Sequence, residues 1–315
     1  MARRLLLTDI THRSPSGLFG DWVHRRMAAW VLGLAALASA ALTGCATPGA
    51  VTTGAAPTDV VAAATRLSWT PVDGAAGLLY AKDVATPGQV LHWLRLDLQD
   101  PTLVLTLTPP RDRGRTLDQF EGATQALVAV NASFFTSRFE PRGWTVSGED
   151  VWAPVLAAED SPLLQCSVMK QCDMRLTPPV PAPPPGGLAV AGTPWLIRDG
   201  VTRQPSDDAS CAFCKVRHPR TAVGLDATRR FLTVVLVEGR QPGALGMTLS
   251  ELAQQMRAHG VTQALNLDGG GSTALLLQGQ RVTGRPFNEP LLRPLANALL
   301  IHRAPTDPAS SEPHP

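Results

Sequence analysis

The sequence predicts an α+β fold with a mixed, largely antiparallel central sheet and a few flanking helices, in a single domain over residues 67–304. Three observations carry this prediction: apolar residues alternate with polar ones in two early segments, short apolar runs follow later, and one segment has both boundaries of a helix. Alternation with a period of two is typical of half-buried strands, whereas short apolar runs are typical of strands covered on both faces.

The alternating segments lie close together in the sequence. Leu94, Leu96 and Leu98 alternate with Arg95 and Asp97, and a second alternation covers residues 102–107. The two segments together predict a half-buried hairpin or meander.

The apolar runs at residues 127–130, 231–237 and 274–277 predict central strands. A helix is predicted between the second and third of them. Thr248 and Glu251 have the spacing of a capping box, in which each side chain satisfies a backbone N–H of the first turn, and Gly260 ends the helix.

The first 44 residues are typical of a signal peptide with an extended basic region. An apolar run from Met27 to Leu42 follows Arg25 and Arg26, and it is too short for an ordinary membrane span. The run ends in L-T-G-C, which resembles a bacterial lipoprotein box and makes Cys45 the expected lipidated residue; a plain secretory signal is the alternative. Residues 45–66 are expected to form a flexible tether, and the expected location is the cell envelope, on the periplasmic or outer-membrane side.

Charge and aromatic content argue against a nucleic-acid partner. Of the 28 basic and 26 acidic residues, five basic and two acidic ones precede Cys45, so the chain from there onward is close to neutral. Aromatic residues make up only 5% of the sequence, which disfavours extended base-stacking surfaces.

Four cysteines follow Cys45, namely Cys166, Cys172, Cys211 and Cys214. An even number in an exported chain predicts two disulfides, and three pairings satisfy this number. The spacing of Cys211 and Cys214 leaves redox chemistry or half a zinc site as alternatives.

Two segments lack the pattern of core elements. A Cys/Pro-rich insert is expected near residues 160–190, because residues 178–187 contain too many prolines for a helix or a central strand. Residues 305–315 form a polar tail that is expected to be disordered.

The densest group of polar residues surrounds three consecutive glycines. Alternation around Leu265 and Leu267 places Asn266 and Asp268 on the face opposite to the core, at the end of a strand. The glycine loop that follows, Gly269–Gly271, is able to bring backbone N–H groups close to an anion, and Ser272 and Thr273 add hydroxyl groups. A simple Gly-rich turn is the alternative interpretation.

A second group gathers at one end of a predicted hairpin. The segments 218–226 and 231–238 flank a turn, so His218 and Arg220 are expected to meet Glu238 and Arg240 at the far end. Asp226 lies at the turn and is interpreted as a turn residue. Two arginines beside a histidine and a glutamate predict an anion site.

Four motifs, in order, resemble those of the phosphodiester glycosidase family, also called the uncovering-enzyme family. They are H-P-R-T-A-V-G-L-D from His218, V-E-G-R-Q-P-G followed by G-M-T-L-S-E-L, A-L-N-L-D-G-G-G-S-T from Ala264, and R-P-L-A-N-A from Arg293. In addition, N-A-S-F-F from Asn131 is similar to the family's usual N-G-G-F-F, and Glu238 stands where the family commonly has Asp. The resemblance spans roughly residues 90–302, and the motifs are specific because they occur together.

The resemblance implies hydrolysis of the bond between the anomeric carbon of a sugar and a phosphodiester. Asp268 and Glu238 are then the expected acid/base or nucleophile pair. The remaining expected site residues bind substrate: Arg220, Arg240 and the amides of Gly269, Gly270 and Gly271 on the phosphate, with His218, Ser272, Thr273, Asn131, Asn266 and Asn297 around the phosphate, sugar or carboxylates. Asn131 and Asn297 have the alternative role of capping strand ends.

The expected substrate is a sugar-1-phosphodiester or phosphorylated glycan, with no cofactor and no bound metal. Two other functions stay open on sequence alone. One is a non-catalytic envelope lipoprotein that binds phosphorylated glycans, and the other is a phosphodiesterase that cuts the P–O bond. A metal-dependent phosphodiesterase is disfavoured because no His/Asp ligand cluster is visible in the sequence.

Overall fold

The computed structural model describes residues 66–152, 161–176 and 186–305. Its strands, numbered in chain order, are β1 (Thr70–Val72), β2 (Ala75–Asp83), β3 (Leu91–Asp97), β4 (Leu103–Leu107), β5 (Val128–Asn131), β6 (Thr145–Ser147), β7 (Asp150–Val151), β8 (Pro162–Cys166), β9 (Cys172–Leu176), β10 (Leu188–Ala191), β11 (Trp195–Arg198), β12 (Val201–Thr202), β13 (Arg220–Asp226), β14 (Phe231–Val237), β15 (Val261–Asn266), β16 (Leu275–Leu277), β17 (Gln280–Arg281) and β18 (Ala298–Arg303). One α-helix, α1 (Leu249–Ala258), and short 3₁₀ turns at Pro110–Asp112, Leu117–Gln119, Pro205–Asp208 and Gly270–Ser272 complete the described elements.

The strands form three sheets. The largest has eight strands in the order β1-β2-β3-β14-β13-β15-β11-β12, and two five-stranded sheets have the orders β7-β6-β10-β8-β9 and β17-β16-β5-β18-β4. Neighbouring strands in the described ranges pair antiparallel throughout. The predicted α+β class with largely antiparallel sheets is confirmed.

The eight-stranded sheet is covered on both faces, which explains its long apolar strands. One face, including Leu94, Val234 and Leu265, packs in a core with residues of the two smaller sheets. The alternate residues, including Trp93 and Val235, pack against α1. Because successive side chains of a strand point to opposite faces, a strand between two layers is apolar at nearly every position.

The predicted hairpin of residues 90–98 and 102–107 is wrong. β3 pairs with β2 and β14 in the large sheet, whereas β4 pairs with β18 in a smaller one. Alternation specifies that one face of a strand is buried, but it carries no information about the neighbouring strand. The three apolar runs, in contrast, lie in or overlap β5, β14 and β16, each of which has a neighbour on both sides.

Two local predictions are confirmed. Thr248 Oγ1 accepts a hydrogen bond from the Glu251 amide at 3.2 Å, and the Glu251 carboxylate accepts one from the Thr248 amide at 2.9 Å, so the capping box starts α1. At the turn between β13 and β14, the Asp226 carboxylate accepts hydrogen bonds from the Thr228 and Phe231 amides. Asp226 is therefore a turn residue.

The cysteines pair locally. Cys166 is bonded to Cys172 across β8 and β9, and Cys211 is bonded to Cys214. Because the thiols of Cys211 and Cys214 are bonded to each other, neither is a zinc ligand in this structure. Several predicted features lie outside the described residues: the predicted signal peptide, the lipidation at Cys45, most of the predicted tether, most of the proline-rich segment and the tail after residue 305. Within those residues, no helix has the length and hydropathy needed to cross a membrane.

Candidate active site

Sheet register brings three segments together. Arg220 pairs with Val237 on β14, and Ala222 pairs with Asn266 on β15. The start of β13 therefore lies between the ends of its two neighbours, because antiparallel strands bring the start of one beside the end of the next. This places His218, Arg240 and Asp268 at one edge of the eight-stranded sheet.

These segments enclose a cavity of about 220 Å³. Its lining residues are Phe134, Phe213, His218, Arg220, Arg240, Asn266, Leu267, Asp268, Gly269 and Gly270. Larger cavities of about 340 and 570 Å³ are lined by none of the predicted site residues, so cavity size does not locate this site. Two independent groups predicted from the sequence thus meet around one cavity.

Asp268 is the carboxylate among the residues that line this cavity. Its backbone is fixed by hydrogen bonds from Asn131 Nδ2 to its carbonyl at 2.6 Å and from its amide to the Ala132 carbonyl at 3.0 Å. Burial raises the pKa of Asp268 to about 6, and the Ser272 hydroxyl, the Gly269 amide and Arg293 oppose the rise. Ser272 is close enough to act in this way although it does not meet hydrogen-bond geometry. Asp268 therefore changes protonation state near neutral pH.

The glycine loop lets neighbouring residues pack closely against its backbone, but its amides do not all face the cavity. The Gly269 amide donates to Asp268 Oδ1 at 3.0 Å, and the Gly270 amide donates to the Pro219 carbonyl at 2.8 Å. Gly270 has a φ of +60°, and a Cβ atom on Gly271 would lie 2.1 Å from Glu289 Oε1. The expectation that all three amides bind a phosphate is corrected, because two of them already have partners within the protein.

Arg220 is 4% exposed, and its guanidinium binds backbone. Nε donates to the Met247 carbonyl at 3.0 Å, and Nη2 donates to the carbonyls of Phe213 at 2.6 Å and Val216 at 2.8 Å. Burial lowers the pKa of Arg220 to about 10, so the side chain stays charged at neutral pH. Its charge reaches the cavity, while much of its donor capacity holds the surrounding loops.

His218 and Arg240 form the more open cationic part of the cavity. Arg240 Nη2 lies 2.8 Å from His218 Nδ1. Because a guanidinium only donates, Nδ1 accepts and the ring is neutral. Burial, together with the charges of Arg220 and Arg240, lowers the pKa of His218, which also favours the neutral ring. Arg240 adopts a φ of +54°, an uncommon conformation for a residue with a Cβ atom.

Glu238 is not among the residues that line this cavity, although the hairpin places it beside the site. Oε1 lies 2.6 Å from His92 Nε2, and Oε2 accepts hydrogen bonds from Gln241 Nε2 at 3.0 Å and the Gly284 amide at 2.9 Å. Burial opposes its ionisation, but these hydrogen bonds outweigh burial and hold the pKa of Glu238 below its usual value. The structure does not bring Glu238 and Asp268 together as carboxylates of one cavity.

The predicted asparagines differ in their contacts. Asn131 Oδ1 accepts hydrogen bonds from Thr221 Oγ1 at 2.9 Å and the Ala274 amide at 3.1 Å, while Asn297 Oδ1 accepts one from the Ser133 amide at 2.9 Å. Neither residue lines the cavity, and these contacts match the alternative in which both tie strand ends. Asn266 does line the cavity.

Three buried polar atoms in the strand and loop around Asp268 have no hydrogen-bond partner among the described residues: Asn266 Oδ1, Ser272 Oγ and Thr273 Oγ1. Of these three residues only Asn266 lines the cavity, so the predicted substrate contacts of Ser272 and Thr273 are not made from its wall. Asn266 Nδ2 donates to the Thr193 carbonyl at 2.8 Å, which fixes the orientation of the amide. An unpaired buried acceptor costs on the order of 1–3 kcal/mol, so a ligand with a hydroxyl or N–H donor gains by reaching it.

Several cavity residues were not predicted from sequence. Phe134 and Phe213 line the cavity, and Arg293 acts on the Asp268 carboxyl while bonded to Glu289 at 2.5 Å. Phe134 and Arg293 lie within motifs that carried the family resemblance, but Phe213 carried no sequence signal beyond its place between two cysteines. Within the described residues, no group of three or more His, Cys, Asp or Glu side chains is arranged to hold a metal ion.

The protein thus has an antiparallel β fold with a small, polar, cationic cavity. In this cavity one carboxyl group lies beside two guanidinium groups and a neutral histidine. The family model described as phosphodiester glycosidase matches residues 124–302, more than half of the chain. The chain belongs to the phosphodiester glycosidase family.

Sequence relatives agree with this membership, and solved structures share the fold. The chain is 36% identical over 101 residues to the N-acetylglucosamine-1-phosphodiester alpha-N-acetylglucosaminidase of Bos taurus, a match that covers 29% of this chain and 19% of that protein. The matched stretch thus spans about a fifth of the relative's length. The fold resembles the catalytic domain of the zebrafish enzyme of that name, with a TM-score of 0.57, 17% identity and coverage of 76% and 88%. A hypothetical protein from Synechocystis gives a TM-score of 0.59, 15% identity and coverage of 76% and 64%.

Proposed function

We propose that this chain is a hydrolase that cleaves the glycosidic bond of sugar-1-phosphodiesters. The observation that carries the proposal is the Asp268 carboxyl, which is partly buried, has a pKa near neutrality and lines the same cavity as Arg240 and His218. A phosphodiester of a sugar needs a carboxylate at the anomeric carbon and a cation at the phosphate. Family membership supports this chemistry.

In this mechanism Asp268 acts in its ionised form at the anomeric carbon, either as a base toward water or as a nucleophile. The leaving group is a phosphomonoester whose second pKa is about 6. It therefore departs without the full protonation that an alcohol requires, and a second carboxylic acid in the cavity is not needed. This matches a cavity that Asp268 lines and Glu238 does not.

Arg240 is proposed as the main phosphate ligand. The Arg220 guanidinium donates to three backbone carbonyls, whereas the Arg240 guanidinium has one described hydrogen bond, to His218. A charge-assisted hydrogen bond to a developing phosphomonoester strengthens as the glycosidic bond breaks, so the residue assists turnover as well as binding. Arg220 contributes its positive charge to the cavity while its guanidinium stays hydrogen-bonded to the protein backbone.

Asn266 is proposed to bind the sugar. Its free Oδ1 needs a donor, and a phosphodiester has none to offer, whereas sugar hydroxyl and amide groups do. Ser272 and Thr273, in contrast, do not line the cavity, and the Ser272 hydroxyl acts on the Asp268 carboxyl. The polar cavity thus distinguishes a sugar side, near Asn266, from a phosphate side, near Arg240.

We further propose that the substrate is in the cell envelope or outside the cell, in a sugar-phosphate glycan. The apolar run and the L-T-G-C ending before Cys45 support export and lipid anchoring. Two disulfides in the described domain fit an oxidising compartment.

The test is hydrolysis of a panel of sugar-1-phosphodiesters in water enriched in a heavy oxygen isotope. Label in the sugar is expected, because water attacks the anomeric carbon. Label in the phosphate would instead establish a phosphodiesterase. Binding without hydrolysis across the panel would favour the glycan-binding lipoprotein. Reactions without enzyme serve as the control for spontaneous hydrolysis.

A further inference from the structure

Phe213 forms part of the cavity wall and is not used by the mechanism above. Its side chain is 44% exposed, although phenylalanine is usually buried. A single exposed apolar residue on an open surface needs no explanation. Phe213 differs because it lines the small polar cavity that contains Asp268 and Asn266.

The position of Phe213 is fixed from both sides. Cys211 and Cys214 are bonded to each other around it, and the Cys214 amide donates to the Cys211 carbonyl at 3.1 Å. The Phe213 carbonyl accepts a hydrogen bond from buried Arg220 at 2.6 Å, and the Leu249 amide at the start of α1 donates to the Cys214 carbonyl at 2.9 Å. A partly exposed aromatic ring is thus presented on a closed, anchored loop, which lowers the entropy cost of using it in binding.

The contact of Phe213 with Arg220 uses only part of the surface of Phe213. Arg220 Cζ lies 5.8 Å from the ring centroid, so the two groups are in loose contact. With the ring in place Arg220 is 4% exposed, whereas Phe213 itself is 44% exposed, so the contact with Arg220 leaves a large part of Phe213 uncovered. Part of the Phe213 surface is available to a ligand.

We propose that Phe213 is a specificity-determining residue whose ring packs against the apolar face of the substrate's sugar ring. This rests on the proposed function, since it assigns the sugar a place in the same cavity. A pyranose has polar hydroxyl edges and faces of C–H groups, and the partly positive C–H hydrogens suit the negative face of an aromatic ring. The hydroxyl groups then face the polar part of the cavity wall that includes Asn266, whose Oδ1 is buried without a partner. The combination of one aromatic wall and a few directed polar groups is the usual composition of a small-molecule site.

The test is calorimetric binding of inorganic phosphate and of three sugar 1-phosphates, those of glucose, galactose and N-acetylglucosamine, to the whole mature protein. At least one sugar 1-phosphate should bind wild type more tightly than phosphate, because the sugar contacts Phe213 and Asn266. Phe213→Leu keeps an apolar cover over Arg220 but removes the aromatic face. We call the ratio of the affinity for a sugar 1-phosphate to the affinity for phosphate the sugar increment. Phe213→Leu should lower this ratio roughly tenfold and leave the affinity for phosphate unchanged. Phe213→Trp should retain the increment. Phe287→Leu is the matched control, because Phe287 is 79% exposed and does not line the cavity.

Three results would overturn the proposal: no sugar increment in wild type, an unchanged increment in Phe213→Leu, or equal losses of phosphate and sugar affinity in that variant. Equal losses would mean that the ring only supports Arg220. A thermal melt of each variant checks folding, and Phe213→Trp supplies a second reading if Phe213→Leu unfolds. Because binding is measured without turnover, an increment that depends on Phe213 in a protein that hydrolyses no phosphodiester would keep this inference and reject the proposed reaction.

Discussion

His92 Nε2 lies 2.6 Å from Glu238 Oε1, although the two residues are 146 positions apart in the chain. His92 is fully buried, and its Nδ1 lies 2.8 Å from the Tyr80 hydroxyl, so Glu238 ends a chain of polar groups that runs through the interior from β2 across β3. The second Glu238 oxygen accepts hydrogen bonds from Gln241, the residue after Arg240, and from the Gly284 amide. Through these bonds Glu238 acts as a positioning residue for Arg240.

Glu238→Gln tests this role. The amide group of Gln cannot accept from all three present donors, so we expect the free energy of unfolding to fall by about 1–3 kcal/mol and kcat/KM to fall with it. The bend of the pH profile near pH 6 should persist, because it belongs to Asp268. Loss of that bend in Glu238→Gln would return Glu238 to the catalytic role that its motif predicted. The profiles of kcat/KM against pH for both proteins decide the matter.

Asp268→Asn should lower kcat by about 10²-fold or more while substrate binding is retained, since the amide keeps the shape of the side chain but loses its base or nucleophile. Wild-type kcat/KM should fall as the pH drops below about 6, because the ionised carboxylate is the active form. Asp97→Asn, a change far from the cavity, should leave both quantities at wild-type values. Wild-type turnover in Asp268→Asn would remove Asp268 from the chemistry.

The raised pKa of Asp268 also predicts a pH-dependent stability. The folded state binds this proton more tightly than the unfolded state, so stability falls as pH rises from about 4 to about 6. Asp268→Asn should therefore be more stable than wild type at pH 7.5, by up to about 3 kcal/mol, with the difference vanishing at pH 4. The contribution of Asp97 to stability depends on pH in the opposite direction, because the hydrogen bond from Arg230 lowers the pKa of Asp97. Asp97→Asn should lose stability above pH 4, and denaturant melts at both pH values measure the pair.

Arg240 and Arg220 should separate binding from stability. Arg240→Gly removes a cation from the cavity and accommodates the φ of +54°, so we expect phosphate affinity to fall roughly tenfold or more with little loss of stability. Arg220→Gln breaks hydrogen bonds to buried carbonyls and should cost more than about 2 kcal/mol of folding free energy. Calorimetry with phosphate and thermal melts test both variants. The reverse pattern would make Arg220 the principal phosphate ligand.

Membrane anchoring is tested at Cys45. In a bacterium with an intact lipoprotein pathway, Cys45→Ala should move the protein from the membrane to the soluble fraction, because the variant lacks the thiol to which we propose that the lipid attaches. Cys45→Ser serves as a second variant with nearly the same side-chain size. Identical fractionation of the wild type and both variants would reject the anchor.

The sequence determined those features that depend on neighbouring residues. The capping box at Thr248, the turn at Asp226 and the apolar central strands each follow from local hydrogen bonding or periodicity. The approach of His218 to Arg240 was also predictable, because a hairpin brings its two ends together. Family motifs added Asp268 as the central carboxyl, and the structure places it on the cavity wall.

Tertiary structure decided the contacts between distant segments. β4 joins its sheet by pairing with β18. The Glu238 carboxyl points toward His92, and the guanidinium of Arg220 binds the carbonyls of Phe213 and Met247. Phe213 entered the cavity wall only because its loop packs against β13 and α1. The sequence of a motif is the same whether a polar side chain in it donates to a ligand or to a buried carbonyl. The outcome is set by which partners desolvation leaves within reach, since each buried polar group must be satisfied where it lies.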